Sequence, residues 1–305
     1  MSDLFKRLAA AVLLVCAMPV LADSRTVTDA FGNAVEVPDA PQRIVALSEL
    51  DLDALLALEQ APVGTVNGRG QSGLPGYLAE RAPEIKILGD IGNVNTELLL
   101  ELQPDLILTG TDRPETLELY RAIAPTVVTA KPGAPWQDSL QLIAGVLGKP
   151  EAATAFEQRY AQRVQQAREA MAAQQGQSMS IVRWNPKGPV YMLEDAFSSQ
   201  VVMALGFVRP ELQRQPGFTH SQALSLESLD LLDGQWMVVG TLAGTGEAAD
   251  ALRQARDTAA FQQLGAVRAG QMAAVDGSLW TSVGGPLAAM QVIDDVERIV
   301  TGSQN

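Results

Sequence analysis

A sixteen-residue stretch occurs twice in this chain, from Asn95 to Gly110 and again from Ser225 to Gly240. Each copy opens on a residue suited to cap a helix, Asn95 or Ser225, because its side-chain oxygen can accept from the first free amides. Each places a glutamate two residues later, Glu97 or Glu227, where the amino-terminal end of a helix favours an anion. Apolar residues then recur at helical spacing, Leu99 and Leu102 in the first copy, Leu229 and Leu232 in the second. Seven residues after its glutamate each helix breaks, at Pro104 or Gly234. Each copy ends in an apolar run that reads as a buried parallel strand. Such a repeat, 130 positions apart, predicts two similarly built lobes. Two lobes leave a cleft between them, and a cleft is the ordinary place for a ligand.

The amino terminus reads as an export signal. Lys6 and Arg7 form a basic start, and Leu8 to Val20 is an apolar run too short to span a bilayer. Val20-Leu21-Ala22 resembles a small-residue cleavage pattern, which predicts a cleaved signal peptide over 1–22 and a mature start near Asp23. A membrane anchor and a lipoprotein are the competing readings. Cys16 is the only cysteine, and Val15 before it does not suit a lipobox. Loss of Cys16 with the signal leaves a chain without disulfides or thiolate chemistry. The remaining 283 residues allow two domains and a large core. The formal charge is −13, or −14 without Asp3, Lys6 and Arg7, and it repels phosphates, so no nucleic-acid partner is expected.

Short apolar runs alternate with helical patterns. A hairpin is expected over 26–37 around Phe31-Gly32-Asn33, then strands over 43–47, 63–66, 85–88 and 126–128. Helices over 51–58, 77–82 and 115–122 separate these strands, so a parallel sheet covered on both faces follows. The middle is helical, over 136–147 and 151–174. The second of these is about 36 Å long and reads as a stiff connector. Strands over 180–184, 190–193 and 272–275 follow, with helices over 198–205, 247–255 and 261–264. A last helix begins at Pro286, a favoured first position, and stops at Gly302. The boundaries drawn are a lobe over 23–134, a helical connector over 135–177 and a lobe over 178–305. The expected class is α/β, with two Rossmann-like lobes and mainly parallel sheets joined by one long connecting helix.

Four pieces in order resemble one family. They are Thr26 to Gly32, Pro41 to Val45, Glu97 through Ile107, and Phe261 to Gly270. Together they are similar to the periplasmic solute-binding proteins of iron-siderophore ABC importers, of the ferric citrate and ferric hydroxamate type. The vitamin B12-binding protein shares that helical-backbone architecture. The resemblance implies a periplasmic monomer that captures a ferric siderophore and delivers it to the permease subunits of an inner-membrane importer. It implies no enzyme activity and no resident cofactor, since iron arrives already wrapped in its chelator. It also implies one acidic residue on top of each lobe, facing permease arginines, and Glu97 and Glu227 match those positions. Complementing a helix dipole would explain the same glutamates, at about 1 kcal/mol or less each.

In open α/β lobes, ligands sit at the carboxyl ends of strands. That rule selects Ser48, Glu49, Asn67, Arg69, Asp90, Asn93, Thr109, Arg113, Lys131, Trp184, Lys187 and Thr241. Loops before helices add Phe218, His220 and Trp280. Citrate and catecholate chelates are anionic, and arginine pairs with such oxygens in a fork, which favours Arg69, Arg113 and Arg183. Trp184, Tyr191 and Trp280 could supply flat apolar walls, although an aromatic is more often core. His220 is the sole histidine. Catecholate-binding relatives use a loop histidine near that position together with a tyrosine near Thr281, and hydroxamate-binding relatives carry an arginine around Ile91 and a tryptophan around Thr219. The tyrosine, the arginine and the tryptophan are all absent here, which leaves the ligand class open.

A protein-ligated transition-metal site needs several converging imidazoles, thiolates or carboxylates, and none is expected. Gly68-Arg69-Gly70-Gln71-Ser72-Gly73 matches a dinucleotide pattern, but Pro75-Gly76 interrupts the helix that should follow. A receptor for haem or cobalamin is the alternative within the binding class. A secreted hydrolase is the alternative outside it, and the chain lacks a nucleophile elbow for one.

Overall fold

The computed structural model describes residues 23–302, so the expected signal peptide, its cleavage site and Cys16 lie outside the described residues. An antiparallel hairpin of β1 (Ser24–Thr28) and β2 (Ala34–Pro38) comes first, as the turn residues predict. Then come β3 (Ile44–Ala46), α1 (Glu49–Ala57), β4 (Gly64–Thr65), α2 (Gly76–Ala79) and β5 (Lys86–Ile87). A small hairpin of β6 (Gly89–Asp90) and β7 (Asn93–Val94) was not legible in the sequence, because two residues per strand carry no period. It leads into α3 (Thr96–Glu101), β8 (Leu106–Thr109), α4 (Pro114–Arg121) and β9 (Thr126–Val128). The first sheet has the order β5–β4–β3–β8–β9, and every pairing in it is parallel.

Two helices follow, α5 (Trp136–Val146) and α6 (Pro150–Ala170). The helix expected to reach Gln174 divides at Met171, and a short 3₁₀ turn covers Ala172–Gln174. The second sheet contains β10 (Met179–Asn185) and β11 (Gly188–Tyr191), then α7 (Phe197–Ala204) and β12 (Trp236–Gly240). After it come α8 (Glu247–Arg256), α9 (Ala259–Gln262), α10 (Gly265–Arg268), β13 (Met272–Ala274), α11 (Gly277–Thr281) and α12 (Pro286–Thr301). Its order is β11–β10–β12–β13, parallel except for the β10–β11 hairpin.

Both parallel strands of the repeat, β8 and β12, are buried throughout, so apolar residues fill them without alternation. The largest apolar core is continuous across the molecule. It joins Ile44 and Leu55 to Trp136, Phe156, Ile181 and Val292. Helix α6 lies along this core. Near its start the Trp136 ring meets Phe156 and Tyr160 edge-on, with centroids 6.1 and 5.0 Å apart. Further along, Arg163 pairs with Asp294 and Glu297 of α12, and Arg168 donates to the Ala204 carbonyl at the end of α7. Among the described residues no helix is long and apolar enough to cross a membrane.

Candidate functional site

The site is built on the first turn of α1, at the carboxyl end of β3. Ser48 caps that helix. Its hydroxyl accepts from the Asp51 amide at 3.1 Å and donates to the Asp51 carboxylate at 2.6 Å. Glu49 is only 6% exposed. One of its oxygens accepts the Arg69 backbone N–H at 2.6 Å, and the other accepts the Ser282 hydroxyl, from the segment after α11. One turn on, Asp53 accepts the Leu287 and Ala288 amides at 2.7 and 2.9 Å and the Tyr77 hydroxyl at 2.9 Å. A carboxylate from the first lobe thus satisfies the free amides at the start of α12. Gly285 is required there, since a Cβ on it would lie 2.6 Å from the Asp53 carboxyl carbon.

These three carboxyls are out of water, and their titration reflects it. Burial pushes Asp51 and Asp53 from 3.8 up to about 6, against the hydrogen bonds each accepts. Burial also raises Glu49, opposed by Ser282 and the Arg69 amide. Burial, and then the Asp53 anion, hold the Tyr77 phenol well above 10.

Two guanidinium groups, one from each lobe, belong to this region. Arg69 is exposed, on the loop after β4. Arg183 comes from β10, is 4% exposed, and donates to the Thr281 carbonyl at 2.9 Å while its Nε has no partner. Burial and then the Arg69 charge lower Arg183 to about 10, so the two cations feel each other across the lobes. Neither has a carboxylate within ion-pair distance among the described residues.

Beside them opens a cleft of about 600 Å³. Asn67, Gln71, Ser72 and Asp90 line it from the first lobe, and Gly244 and Thr245 from the second. Asn67 donates to Asp90 at 2.7 Å, which orients both polar groups. The glycine-rich run closes on itself, Gly68 N–H to the Gly73 carbonyl at 2.8 Å, and reaches the other lobe, where the Gln71 amide donates to the Leu242 carbonyl at 3.1 Å. Gly70 has φ of 72° and abuts Leu242, so the glycine serves a turn and a close approach.

Other expected groups are distributed differently. Arg113, Lys131 and Lys187 are exposed, and Lys131 lies over the Phe31 ring at 5.6 Å. Arg113 is the N-cap residue of α4, and its amide meets Thr111. Asn93 is exposed and Phe218 is 73% exposed, whereas Thr109 is buried and Thr241 turns onto the Ala243 carbonyl. Trp184 and Trp280 are not cleft walls. Trp184 is 2% exposed and packs on Phe261 in the second lobe's own core. Trp280 is fully buried, with its indole N–H on Asp295 of α12. A large ring gains more from the interior than from a wet wall.

Tyr191 packs partly against that second-lobe core. His220 sits in the loop before the helical turn over Leu226–Leu232, as expected, and an isolated antiparallel bridge to Met192 ties it to the sheet. Tyr191 is opposite Val182, so His220 lies level with Ile181, four residues back from the carboxyl end of β10. Its ring Nδ1 engages the Ser221 carbonyl. The residues that sequence reasoning missed are Gln71, Ser282, Asp53 and Tyr77.

Glu97 and Glu227 are both exposed, beside buried Leu99 and Leu229. Each starts its helical turn at the carboxyl-end side of its sheet. Asn95 N–H bonds the Leu88 carbonyl just past β5, and Leu224 N–H bonds the Pro189 carbonyl, next to Gly188, which is paired with Asn185.

Comparison with known proteins places this geometry. Residues 44–279 match the family model described as periplasmic binding protein. The probable siderophore-binding lipoprotein YfiY of Bacillus subtilis is 30% identical over 283 residues, covering 90% of this chain and 87% of that protein. The achromobactin-binding periplasmic protein of Dickeya dadantii is 25% identical, covering 85% and 86%. Among solved structures, Staphylococcus aureus SirA complexed with staphyloferrin B superposes with a TM-score of 0.80 at 23% identity, over 90% of this chain and 98% of that one. The expected fold, two lobes on a helical backbone, is that of these structures.

Proposed function

Because the chain belongs to the periplasmic binding protein family, we propose that it is an exported receptor for an anionic ferric siderophore. It takes the chelate up in the cleft between its lobes and passes it to the permease of an inner-membrane ABC importer. It acts by binding alone. The observation that carries this reading is the pair Arg69 and Arg183, one from each lobe beside the cleft, neither of them in an ion pair and close enough that the Arg69 charge lowers Arg183. The two cations repel each other, with the buried Glu49 carboxyl beside Arg69 offsetting only part of their charge, and an anion laid between them reduces that repulsion. The named ligands of the relatives support the reading, since the relatives include siderophore-, achromobactin- and staphyloferrin-binding proteins.

The iron is cargo. Among the described residues no group of three or more His, Cys, Asp or Glu is placed to hold a metal ion, and a chelate needs none, because its own oxygens fill the coordination shell. Glu97 and Glu227 are the proposed contacts to the permease, one per lobe. The test is quenching of tryptophan fluorescence during titration with ferric dicitrate and other ferric carboxylate and catecholate chelates, beside the bare ferric ion. At least one chelate should bind and the bare ion should not. Arg69→Ala and Arg183→Met should each weaken chelate binding by about 1.5–3 kcal/mol, as for hydrogen bonds to charged groups. Tight stoichiometric binding of the bare ion, or wild-type affinity in both variants, would overturn the assignment.

A further inference from the structure

Glu49 was selected from the sequence as a ligand contact, and its surroundings assign it another task. Both carboxylate oxygens are engaged, one by the Arg69 amide of the first lobe and one by the Ser282 hydroxyl of the second. Ser282 directly follows Thr281, whose carbonyl holds Arg183. A single buried carboxylate therefore reaches both cleft arginines, Arg69 through its own backbone and Arg183 through one adjacent residue. The segment that carries Ser282 follows α11, which packs on β10 and β12, so it moves with the second lobe. The groups facing Glu49 are the Arg69 cation and the Asp276 carboxylate, and Asp276 is occupied in capping α11.

We propose that Glu49 is a positioning residue that sets the distance between Arg69 and Arg183, and with it the span of anion that the cleft accepts. The tie is made of hydrogen bonds, so it depends on acceptor and donor atoms more than on charge. This proposal rests on the reading of the cleft as an anionic chelate site, but the spacing it describes can be measured without any ligand.

The test uses the full chain in a Cys16→Ser background with cysteines introduced at Leu119 on α4 and Gln254 on α8, both exposed. Spin labels at these positions report the interlobe distance by pulsed dipolar spectroscopy. Glu49→Ala should broaden that distance distribution and weaken ferric chelate binding by about tenfold or more, the loss of a charge-assisted hydrogen bond. Glu49→Gln can accept the Arg69 amide with its oxygen and donate its own N–H to Ser282, so it should restore the narrow distribution. Binding should then match or exceed wild type, because a negative charge has left the floor. Ser282→Ala removes only the far end of the tie and should broaden the distribution even if Glu49→Ala does not fold. Arg69→Ala should weaken binding with the distribution unchanged. If Ser282→Ala and any folded Glu49→Ala protein keep the wild-type distribution, the proposal fails. It also fails if Glu49→Gln loses both spacing and affinity as Glu49→Ala does. If the wild-type protein binds none of the chelates, the receptor reading falls, and the ligand-free distances still decide the tie.

Discussion

The first lobe buries carboxylates and the second buries guanidiniums. Glu49, Asp51 and Asp53 on α1 stand against Arg183 and Arg209, and none of the five is more than 6% exposed. The acids are held by amides and hydroxyls. Arg209 donates to the Met179 carbonyl, the Met192 carbonyl at 2.9 Å and the Gln213 side chain at 2.7 Å, with no acid nearby in any of these bonds. A buried charge costs heavily unless hydrogen bonds replace its water, and the first lobe meets that cost with amides and hydroxyls, the second mainly with carbonyls. The frames are alike because apolar residues set them, while the buried charges are where the roles part. Two of the acids join the lobes, Glu49 at Ser282 and Asp53 at the start of α12. Arg209 fastens the second lobe to itself.

The outer surfaces, by contrast, are treated as equivalent by the docking proposal, and breaking that equivalence carries the largest expected effect. Glu97→Arg and Glu227→Arg should each depress siderophore uptake, and the double variant should reduce it more than about tenfold, since like charges then face each other at both contacts. Chelate affinity should stay at wild-type level, and stability should change by at most about 1 kcal/mol per site. Uptake assays run beside ligand titrations on the same variants decide this. Normal uptake in the double variant would reduce both glutamates to helix-end charges.

The acids of the first lobe should appear in the pH dependence of stability. Asp51 and Asp53 rise from 3.8 to about 6 on folding, so the folded state holds the proton more tightly. Their stabilising contribution is complete below about pH 4 and is lost as pH rises through 6, on the order of 3 kcal/mol each. Urea unfolding at pH 4, 5 and 6 should show this component growing as pH falls. Asp51→Asn and Asp53→Asn should each flatten it, and an unchanged slope in both variants would contradict the burial account. Next in size is the second lobe's cation. Arg209→Ala should cost about 3 kcal/mol by stranding buried acceptors, with Arg69-dependent chelate binding intact in the folded fraction.

What the sequence made legible follows from period and punctuation. Strand β9 falls at the expected Thr126–Val128, and α12 begins at the expected Pro286, because an apolar run and a first-turn proline are local signals. The floor of the cleft was not legible. Glu49 and Ser282 are 233 residues apart, Asp53 and Leu287 are 234 apart, and Gln71 and Leu242 are 171 apart. Such contacts have no period and depend on how the lobes meet. Trp184 and Trp280 show the same limit from the apolar side. Their chemistry suits a wall or a core equally, and only packing decides which.

The smallest effects separate the two copies of the repeat. Their burial runs in parallel, yet α3 is a regular helix and its counterpart over Leu226–Leu232 is a 3₁₀ turn kinked at Ser228, with φ −109° and ψ 25°. The residues explain it. Thr96 to Leu102 places leucines at the positions where the second copy has Ser228 and Asp230, and short polar side chains compete for the backbone within a helix. Asn95 accepts from the Glu97 and Leu98 amides, both at 3.1 Å, whereas Ser225 makes no such cap and its hydroxyl faces that of Ser228 at 3.4 Å. Asn95→Ala should therefore cost about 1 kcal/mol, and Ser225→Ala only about a few tenths. Ser228→Ala should stabilise the second copy by about a few tenths, since alanine is the better helix former and no cap is lost. Chemical unfolding of the three variants measures the order. Equal costs at Asn95 and Ser225 would mean that the second copy is capped in solution, and that the kink at Ser228 does not separate the two copies.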